Sequence, residues 1–242
     1  MRVGFFVTCL VDLMRPSIGF AAIRLLESGG ADVVVPPGQT CCGQPGYNSG
    51  DRAGALALAT RVVDQFEHCD YLVAPSGSCS GMIKTHYADV FRDDPALLRR
   101  AEALAAKTWE LASFLVDVLE LASVPGSLDA SITYHDSCAG LREMAVKRQP
   151  RTLLAKMPGL KLTEMAECEN CCGFGGTFSI KYGEIATRMA ENKCQQIAAT
   201  GAQAVVLGDL GCMLNIEGRL RRRGDNTTRV LHVAEVLAGE MR

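Results

Sequence analysis

Residues Arg2 to Pro37, RVGFFVTCLVDLMRPSIGFAAIRLLESGGADVVVPP, contain the pattern that decides the fold. Apolar, β-branched and aromatic residues dominate RVGFFVTC and DVVVPP, which predicts two short strands. Between them, RPSIGFAAIRLLESGG opens on proline and closes at glycine, the punctuation that is typical of a helix. The stretch therefore predicts a strand-helix-strand unit.

This pattern continues and then starts again at ASITYHDSC, residues 130–138. Each half predicts three strands alternating with helices and closes with a helix, ELASFLVDVLEL or HVAEVLAGEMR. Such alternation is typical of parallel sheets with right-handed crossovers, the α/β class. We predict two tandem, pseudo-symmetric Rossmann-like repeats with mainly parallel sheets, residues 1–121 and 127–242, packed together. Residues 122–130 are the predicted linker, and residues 92–107 an added helix of the first repeat.

Eleven cysteines are spread over the 242 residues, and eight of them repeat in order. Each half has one cysteine, then 31 or 32 residues, then the pair of Cys-Cys-Gly, and 36 or 39 residues between that pair and a last cysteine. Regular spacing indicates internal duplication. Adjacent cysteines are poor disulfide partners, so the pattern predicts another use for the thiols. The repeated cysteines are Cys9, Cys41, Cys42 and Cys79 in the first half, and Cys138, Cys171, Cys172 and Cys212 in the second.

Composition narrows the possible functions. A net charge of -2 gives no electrostatic reason to expect a nucleic-acid partner. The longest apolar runs fall well short of the roughly 20 residues needed for a membrane span. The start of the chain, interrupted by Asp12 and Arg15, does not have the features of a signal peptide. We therefore expect a cytoplasmic protein that approaches a membrane only through partners, and dense cysteines in a reducing compartment indicate metal or redox chemistry.

The four repeated cysteines of each half are predicted to converge on one metal site. Ligands of open α/β sheets bind at the carboxyl ends of strands, where the single cysteines fall. The glycine after each pair permits a tight turn, and open amides around it would donate to sulfur. The alternative, a buried and inert thiol, is favoured only for the unrepeated Cys69 and Cys194. Two signatures are missing: the paired Cys-x-x-Cys knuckles of structural zinc sites, and the closely spaced cysteines of ferredoxins.

Four stretches carry a resemblance to a known family: CLVDLMRPSIGFAAIRLLE, CCGQPGYNSGD, APSGSCSGMI and CCGFGGTFS. On these motifs, and over almost the whole chain, the sequence resembles the cysteine-rich, or CCG-domain, family found in heterodisulfide reductase. Within that family it is most similar to the branch that takes part in lactate utilisation. The resemblance implies one iron-sulfur cluster of the 4Fe-4S type in each repeat, and zinc, which thiolates also bind, stays open as the alternative. It implies that the eight repeated cysteines are the cofactor-binding and metal ligands.

The resemblance also implies a function: an electron-transfer subunit of a multi-subunit oxidoreductase that oxidises L-lactate, a 2-hydroxy acid, to pyruvate. Its partners would be other subunits of that complex, including iron-sulfur proteins. The chain departs from the heterodisulfide reductase motif at one point, because that motif ends in Cys-x-x-Cys whereas Ser76 and Asp209 stand at the first position of the pair. Each half thus keeps four of the five family ligands, which leaves the cluster type open. Asp209 is a candidate oxygen ligand or a helix cap.

Other functions stay open at this point. The chain could be a zinc- or thiol-based scaffold subunit of a redox complex, or a subunit of a glycolate oxidase or heterodisulfide reductase-like enzyme. It could also be a thiol-disulfide enzyme that uses the Cys-x-x-Cys pair Cys168 and Cys171. His135 and Asp136 precede Cys138 and are candidates for proton transfer, although capping or hydrogen bonding is favoured. No self-sufficient catalytic constellation stands out, so catalytic residues stay unassigned.

Overall fold

The computed structural model describes residues 1–240 and contains two four-stranded sheets of the same design. The strands of the first sheet are β1 (Arg2–Phe5), β2 (Asp32–Val34), β3 (Tyr71–Ala74) and β4 (Thr108–Glu110). The strands of the second sheet are β5 (Ala130–Tyr134), β6 (Leu160–Leu162), β7 (Ala204–Leu207) and β8 (Arg229–His232). Their spatial orders are β2-β1-β3-β4 and β6-β5-β7-β8, and every neighbouring pair is parallel. The predicted α/β class and its two tandem Rossmann-like repeats are confirmed.

Helices connect the strands of each sheet. In the first half they are α1 (Cys9–Met14), α2 (Pro16–Ser28), α3 (Gln44–Ser49), α4 (Arg52–Phe66), α5 (Gly77–Gly81), α6 (Tyr87–Val90), α7 (Pro95–Ala106) and α8 (Leu111–Asp117), with a π-helical turn at Met82–His86. In the second half they are α9 (Cys138–Arg142), α10 (Arg148–Leu154), α11 (Phe178–Lys181), α12 (Gly183–Ala199), α13 (Leu210–Arg222) and α14 (Val233–Ala238). The added helix predicted within residues 92–107 is α7. Within residues 1–240, no helix is both long and apolar enough to cross a bilayer.

The prediction of three strands in each half is wrong, because each sheet has a fourth strand. Strands β4 and β8 have only three and four residues, and each runs directly into a helix, α8 or α14. They are too short to show the alternation that identifies a strand in sequence. The predicted closing helices are present, although HVAEVLAGEMR and the predicted repeat 127–242 end on two residues, 241 and 242, that lie outside the described part. The repeat boundaries themselves stay predictions.

The two halves pack through equivalent helices. The closing helix of each half lies against the first crossover helix of the other, α8 against α10 and α14 against α2. One hydrophobic core includes Phe5 and Leu25 of the first half with Val206 and Val236 of the second. Helices α5 and α9 also meet across the boundary, where a side chain on Gly77 would lie 2.5 Å from the Gly140 backbone. This packing brings the carboxyl edges of the two sheets, and the cysteines there, close to the boundary between the halves.

Candidate metal centres

All eight repeated cysteines lie at the carboxyl edges of the two parallel sheets. In the first half, Cys9 begins α1 after β1, the Cys41-Cys42 pair follows β2, and Cys79 lies in α5 after β3. The second half repeats this placement after β5, β6 and β7. The single cysteines lie in the first turns of helices, a few residues beyond the strand ends at which the sequence pattern predicts them. They nevertheless lie at the predicted carboxyl edge of each sheet. In each sheet the strand order reverses between the first and third strands of the half, and open α/β sheets bind their ligands at such a reversal.

The first set consists of Cys9, Cys41, Cys42 and Cys79. The Sγ atoms of Cys42 and Cys79 are 3.5 Å apart. Hydrogen bonds from the Cys42 and Cys9 thiols lower the pKa of Cys41 to about 3. The bond between Cys9 and Cys41 in turn raises the pKa of Cys9. The hydroxyl of Tyr87 donates to the carbonyl of Cys42 (3.0 Å) and anchors the loop. The neighbouring thiols thus favour the thiolate form of Cys41 within this set.

The second set consists of Cys138, Cys171, Cys172 and Cys212. The Sγ atoms of Cys171 and Cys138 are 4.0 Å apart, and hydrogen bonds from the Cys138 and Cys172 thiols lower the pKa of Cys171 to about 2. The amide after the pair donates to Cys171 Sγ (3.4 Å), and the next amide, of Phe174, donates to Cys172 Sγ (3.5 Å). The predicted amide donors to sulfur are thus present, and bonds of this kind tune the potential of a bound cluster.

The glycine after each cysteine pair has the same unusual backbone conformation. Gly43 and Gly173 both have φ +87°, a region that side chains rarely adopt. A Cβ atom at Gly43 would lie 3.3 Å from the Ala55 carbonyl oxygen, and one at Gly173 would lie 2.7 Å from that of Ala186. The predicted reason for the glycine, a tight turn without a Cβ clash, is confirmed in both halves.

His135 lies beside the second set, in a position that the sequence pattern did not assign to metal binding. One ring nitrogen and the Sγ atoms of Cys172 and Cys212 lie within 4.8 Å of one another, the one such group of three or more ligand atoms within residues 1–240. Burial, with the nearby Lys193 charge, lowers the pKa of His135 to about 3. Its equivalent in the first half is Phe6. The His135 amide donates to the carbonyl of Val206 in β7 (3.0 Å), and the Phe6 amide donates to that of Val73 in the equivalent strand β3 (2.9 Å). Comparing Phe6 with His135 across the repeat was the signal that could have singled it out.

A buried lysine supports the loop that carries the second cysteine pair. Lys193 of α12 is 1% exposed, and its Nζ donates to the carbonyl oxygens of Glu167 and Cys168. Burial lowers its pKa. Lys193 lies seven positions after Ala186, the residue that Gly173 contacts. In the first half, the residue seven positions after Ala55, the contact of Gly43, is Val62, which is fully buried. The two sets therefore have different surroundings: apolar in the first half and polar in the second.

Ser76 and Asp209, which stand where the resemblance to heterodisulfide reductase implies cysteines, contact each other across the boundary between the halves. One carboxylate oxygen of Asp209 accepts from the Ser76 hydroxyl and from the Ser78 amide, both at 3.0 Å. The other accepts from the Gly211 amide (3.1 Å) and caps α13. Ser76 in turn caps α5 through the Cys79 amide (3.4 Å). Both oxygens of Asp209 are engaged, which favours the capping role over that of a metal ligand.

The remaining candidates lie outside the two sets. Cys69 and Cys194 are buried in the hydrophobic core, as expected for inert thiols. Cys168 is half-buried, and its pKa is raised by burial and by Asp136. The carboxylate of Asp136 forms a bidentate ion pair with Arg151 (2.8 and 3.0 Å), which gives it a structural partner in place of the suggested proton-transfer role.

A cavity of about 350 Å³ opens beside the first set, between the two halves. All four cysteines of that set line it, together with Phe174, Ile180 and Leu210 of the second half. The Ile180 side chain is 84% exposed at its margin. The first set is therefore the more accessible of the two.

Comparison with known proteins follows this division into two cysteine sets. The profile of the Cysteine-rich domain (CCG) family matches residues 3–84 and 132–217, and each matched segment contains one complete set. The chain belongs to the CCG family. Its two CCG repeats are thus the two halves that carry the sheets and the cysteines.

Curated relatives align with both CCG repeats at once. The chain is 45% identical over 237 residues to "Lactate utilization protein A" of Bacillus pumilus, which covers 98% of this chain and 99% of that protein. It is 44% identical, with the same coverage, to the protein of that name from Bacillus subtilis. Among solved structures, a hypothetical protein from Helicobacter pylori superimposes with a TM-score of 0.71 at 13% identity, over 100% of this chain and 49% of that one. This last similarity concerns the fold alone.

The donor atoms of each CCG repeat fit a metal or iron-sulfur centre. Four thiols lie together in each repeat, and hydrogen bonds from neighbouring thiols lower the pKa of one of them, Cys41 or Cys171. Thiolates are soft ligands that suit zinc and iron-sulfur clusters. The cysteines could thus supply the ligands of such a centre, and in the second repeat backbone amides donate hydrogen bonds to the ligand sulfurs.

Proposed function

We propose that the chain is an iron-sulfur electron-transfer subunit of a complex that oxidises L-lactate to pyruvate. The observation that carries the proposal is the convergence of two equivalent four-cysteine sets at the carboxyl edges of two parallel sheets. In this proposal Cys9, Cys41, Cys42 and Cys79 hold one cluster of the 4Fe-4S type, and Cys138, Cys171, Cys172 and Cys212 hold the other. The names of the relatives, "Lactate utilization protein A", support lactate as the substrate of the complex.

The chain's own residues bind and tune these centres. A bound iron-sulfur cluster accepts and releases single electrons. The cysteine thiolates supply the ligands, and the amides of Gly173 and Phe174 donate to the sulfurs of the second set. The cavity beside the first set gives a partner subunit access to that side. Other subunits would bind the 2-hydroxy acid and supply its oxidation chemistry, so the chain acts as part of an oxidoreductase in the cytoplasm.

Metal analysis tests the cluster proposal. The full chain is purified without oxygen, reconstituted with iron and sulfide, and examined by iron quantification and electron paramagnetic resonance. We expect iron and acid-labile sulfide in amounts that correspond to two clusters per chain, with signals that respond to reduction. Protein that stays free of iron after reconstitution would contradict the proposal.

Growth of a deletion strain tests the substrate. In the organism that encodes the chain, deletion is expected to abolish growth on L-lactate and to leave growth on glucose unchanged. Growth on glycolate in parallel separates a lactate complex from a glycolate oxidase. Complementation with the wild-type gene should restore growth, whereas Cys41→Ser with Cys171→Ser should not. Undiminished growth of the deletion strain on L-lactate would contradict the assignment.

A zinc-binding scaffold subunit is the second candidate, and one observation favours it. The ligand atoms of His135, Cys172 and Cys212 are close enough together to bind a single metal ion. Stoichiometric zinc in the anaerobically purified chain, without a redox signal after reconstitution, would favour this function over electron transfer.

A further inference from the structure

The fold does not explain the imidazole of His135. The residue is fully buried, and within the described chain, residues 1–240, neither ring nitrogen has a hydrogen-bond partner. Buried polar groups are nearly always paired, so two unpaired nitrogens on one ring call for a specific cause. The equivalent position of the first repeat holds Phe6, also fully buried, so the same backbone accommodates an apolar ring. The presence of histidine at this position is therefore explained more directly by a role in the second cysteine set than by a role in the fold.

The positions of the donor atoms indicate what that requirement is. A ring nitrogen of His135 and the Sγ atoms of Cys172 and Cys212 lie within 4.8 Å of one another. Ligands that share one tetrahedral metal, with bonds of about 2.0 to 2.3 Å, lie about 3.3 to 3.8 Å apart. The three atoms, all within 4.8 Å of one another, thus surround a point at which a metal could lie. A neutral imidazole that makes no other bond is a good ligand for iron or zinc.

The other candidate for an additional ligand in this repeat is already engaged. Asp209 occupies the position where the resemblance to heterodisulfide reductase implies a fifth cysteine. Its two oxygens accept from Ser76, Ser78 and Gly211, and they thereby hold the two halves together. His135, by contrast, has both nitrogens free for a metal within the part of the chain that the structure describes.

We infer that His135 is a nitrogen ligand of the metal centre in the second CCG repeat, on the side of that centre where Cys172 and Cys212 lie. The first repeat, with Phe6 at the equivalent position, binds its centre through cysteine alone. This inference rests on the proposed function, because it takes the metal to be iron. Histidine in place of a cysteine ligand raises the reduction potential of an iron-sulfur centre, so His135 should give the second centre a higher potential than a fifth thiolate would.

Pulsed electron paramagnetic resonance tests the ligand directly. The full chain carries Cys41→Ser and Cys42→Ser, so that only the second centre remains, and is loaded anaerobically with iron and sulfide. We expect the coupling of a directly bound ¹⁴N nucleus, replaced by that of ¹⁵N when histidine alone is ¹⁵N-labelled. His135→Phe, which copies the first repeat, should abolish the coupling, whereas His68→Gln, at an exposed histidine, should leave it unchanged.

A second variant keeps the test decisive even if His135→Phe fails to fold. His135→Cys should retain iron, lose the nitrogen coupling and shift the midpoint potential of the centre downwards. Iron bound in the second repeat without nitrogen coupling would overturn the inference and leave the proposed function standing. Failure of both repeats of the unmodified chain to take up iron, or zinc in its place, would overturn the proposed function and the inference together.

Discussion

The two CCG repeats share the backbone that presents their cysteines and differ in what lies behind it. In both, a glycine at φ +87° follows the cysteine pair and packs on the carbonyl of a helical alanine. Behind the first set lie Phe6 and Val62, and behind the second lie His135 and Lys193, all of them buried. Duplication has thus kept the thiol geometry and changed the charge and polarity around it. Because potential depends on net charge, hydrogen bonds and exposure, we expect two centres that are alike in ligand spacing and different in potential.

Replacing one cysteine in each set tests whether the two centres are separate, and this is the largest effect we expect. Cys41→Ser should remove the iron of the first repeat and Cys171→Ser that of the second, each lowering the iron content by about half, since each variant loses one of the four thiolates that hold its cluster. The double variant should be nearly free of iron. Iron and sulfide analysis of the reconstituted full chain measures this, with Cys194→Ala as the control. If either single variant lost all its iron, the two sets would form one shared centre.

The contact between Ser76 and Asp209 is the next feature to test. The two residues occupy equivalent positions in the repeats, but Asp209 accepts three hydrogen bonds, two of them from the other half, whereas Ser76 caps its own helix and donates to Asp209. Asp209→Ala removes a helix cap, worth about 1 kcal/mol, and leaves donors of the other half unpaired, so we expect a loss of about 3 to 4 kcal/mol in unfolding free energy. Ser76→Ala removes one cap and should lose about 1 kcal/mol. Urea unfolding of both variants and of the double variant measures the coupling. Equal, additive losses would show that the contact does not stabilise the boundary.

A third difference concerns the caps of the closing helices, Glu110 and His232. Glu110 accepts from the Ser113 amide (3.1 Å) and His232 from the Ala234 amide (3.2 Å) at equivalent helix starts. Burial raises the pKa of Glu110 from 4.5 to about 7 and lowers that of His232 from 6.5 to about 4. The folded state thus holds the Glu110 proton longer than the unfolded state does, so this contribution to stability falls as pH rises from 4.5 to 7. The His232 contribution has the opposite sign and grows between pH 4 and 6.5.

Variants at these caps should separate the two pH dependences. At 1.36 kcal/mol per pKa unit, each contribution amounts to about 3 kcal/mol across its window. Glu110→Gln is expected to become more stable relative to the wild type as pH rises through 4.5 to 7. His232→Asn, which retains a capping side chain, should instead lose stability relative to the wild type as pH rises from 4 to 6.5. Urea unfolding across these pH ranges measures both, and parallel curves for wild type and variants would contradict the assigned pKa shifts.

Local sequence patterns were sufficient for the repeats, the parallel sheets and the eight clustered cysteines, because each leaves a signal in spacing or periodicity. Strands β4 and β8 left none, since a few residues that lead straight into a helix cannot show alternation. The contact between Ser76 and Asp209 depends on how the halves pack, and residues 133 positions apart do not predict it. His135 required a comparison of equivalent positions, because the contrast with Phe6 is what draws attention to a buried polar ring that the fold does not need.

The smallest expected effect separates Cys168 from its neighbour Cys171, although the sequence places both in one Cys-x-x-Cys pair. The contribution of Cys168 to the site is made by its carbonyl oxygen, which accepts from Lys193 Nζ (3.3 Å) and from the Asp136 amide (3.1 Å). A side-chain change leaves that carbonyl in place. We therefore expect Cys168→Ser to keep the full iron content and to alter the unfolding free energy by no more than about 0.5 kcal/mol. Activity of the assembled complex is the deciding measurement: if Cys168→Ser lost activity while it kept its iron, Cys168 would act as a redox thiol, and the second repeat would differ from the first in chemistry as well as in its ligands.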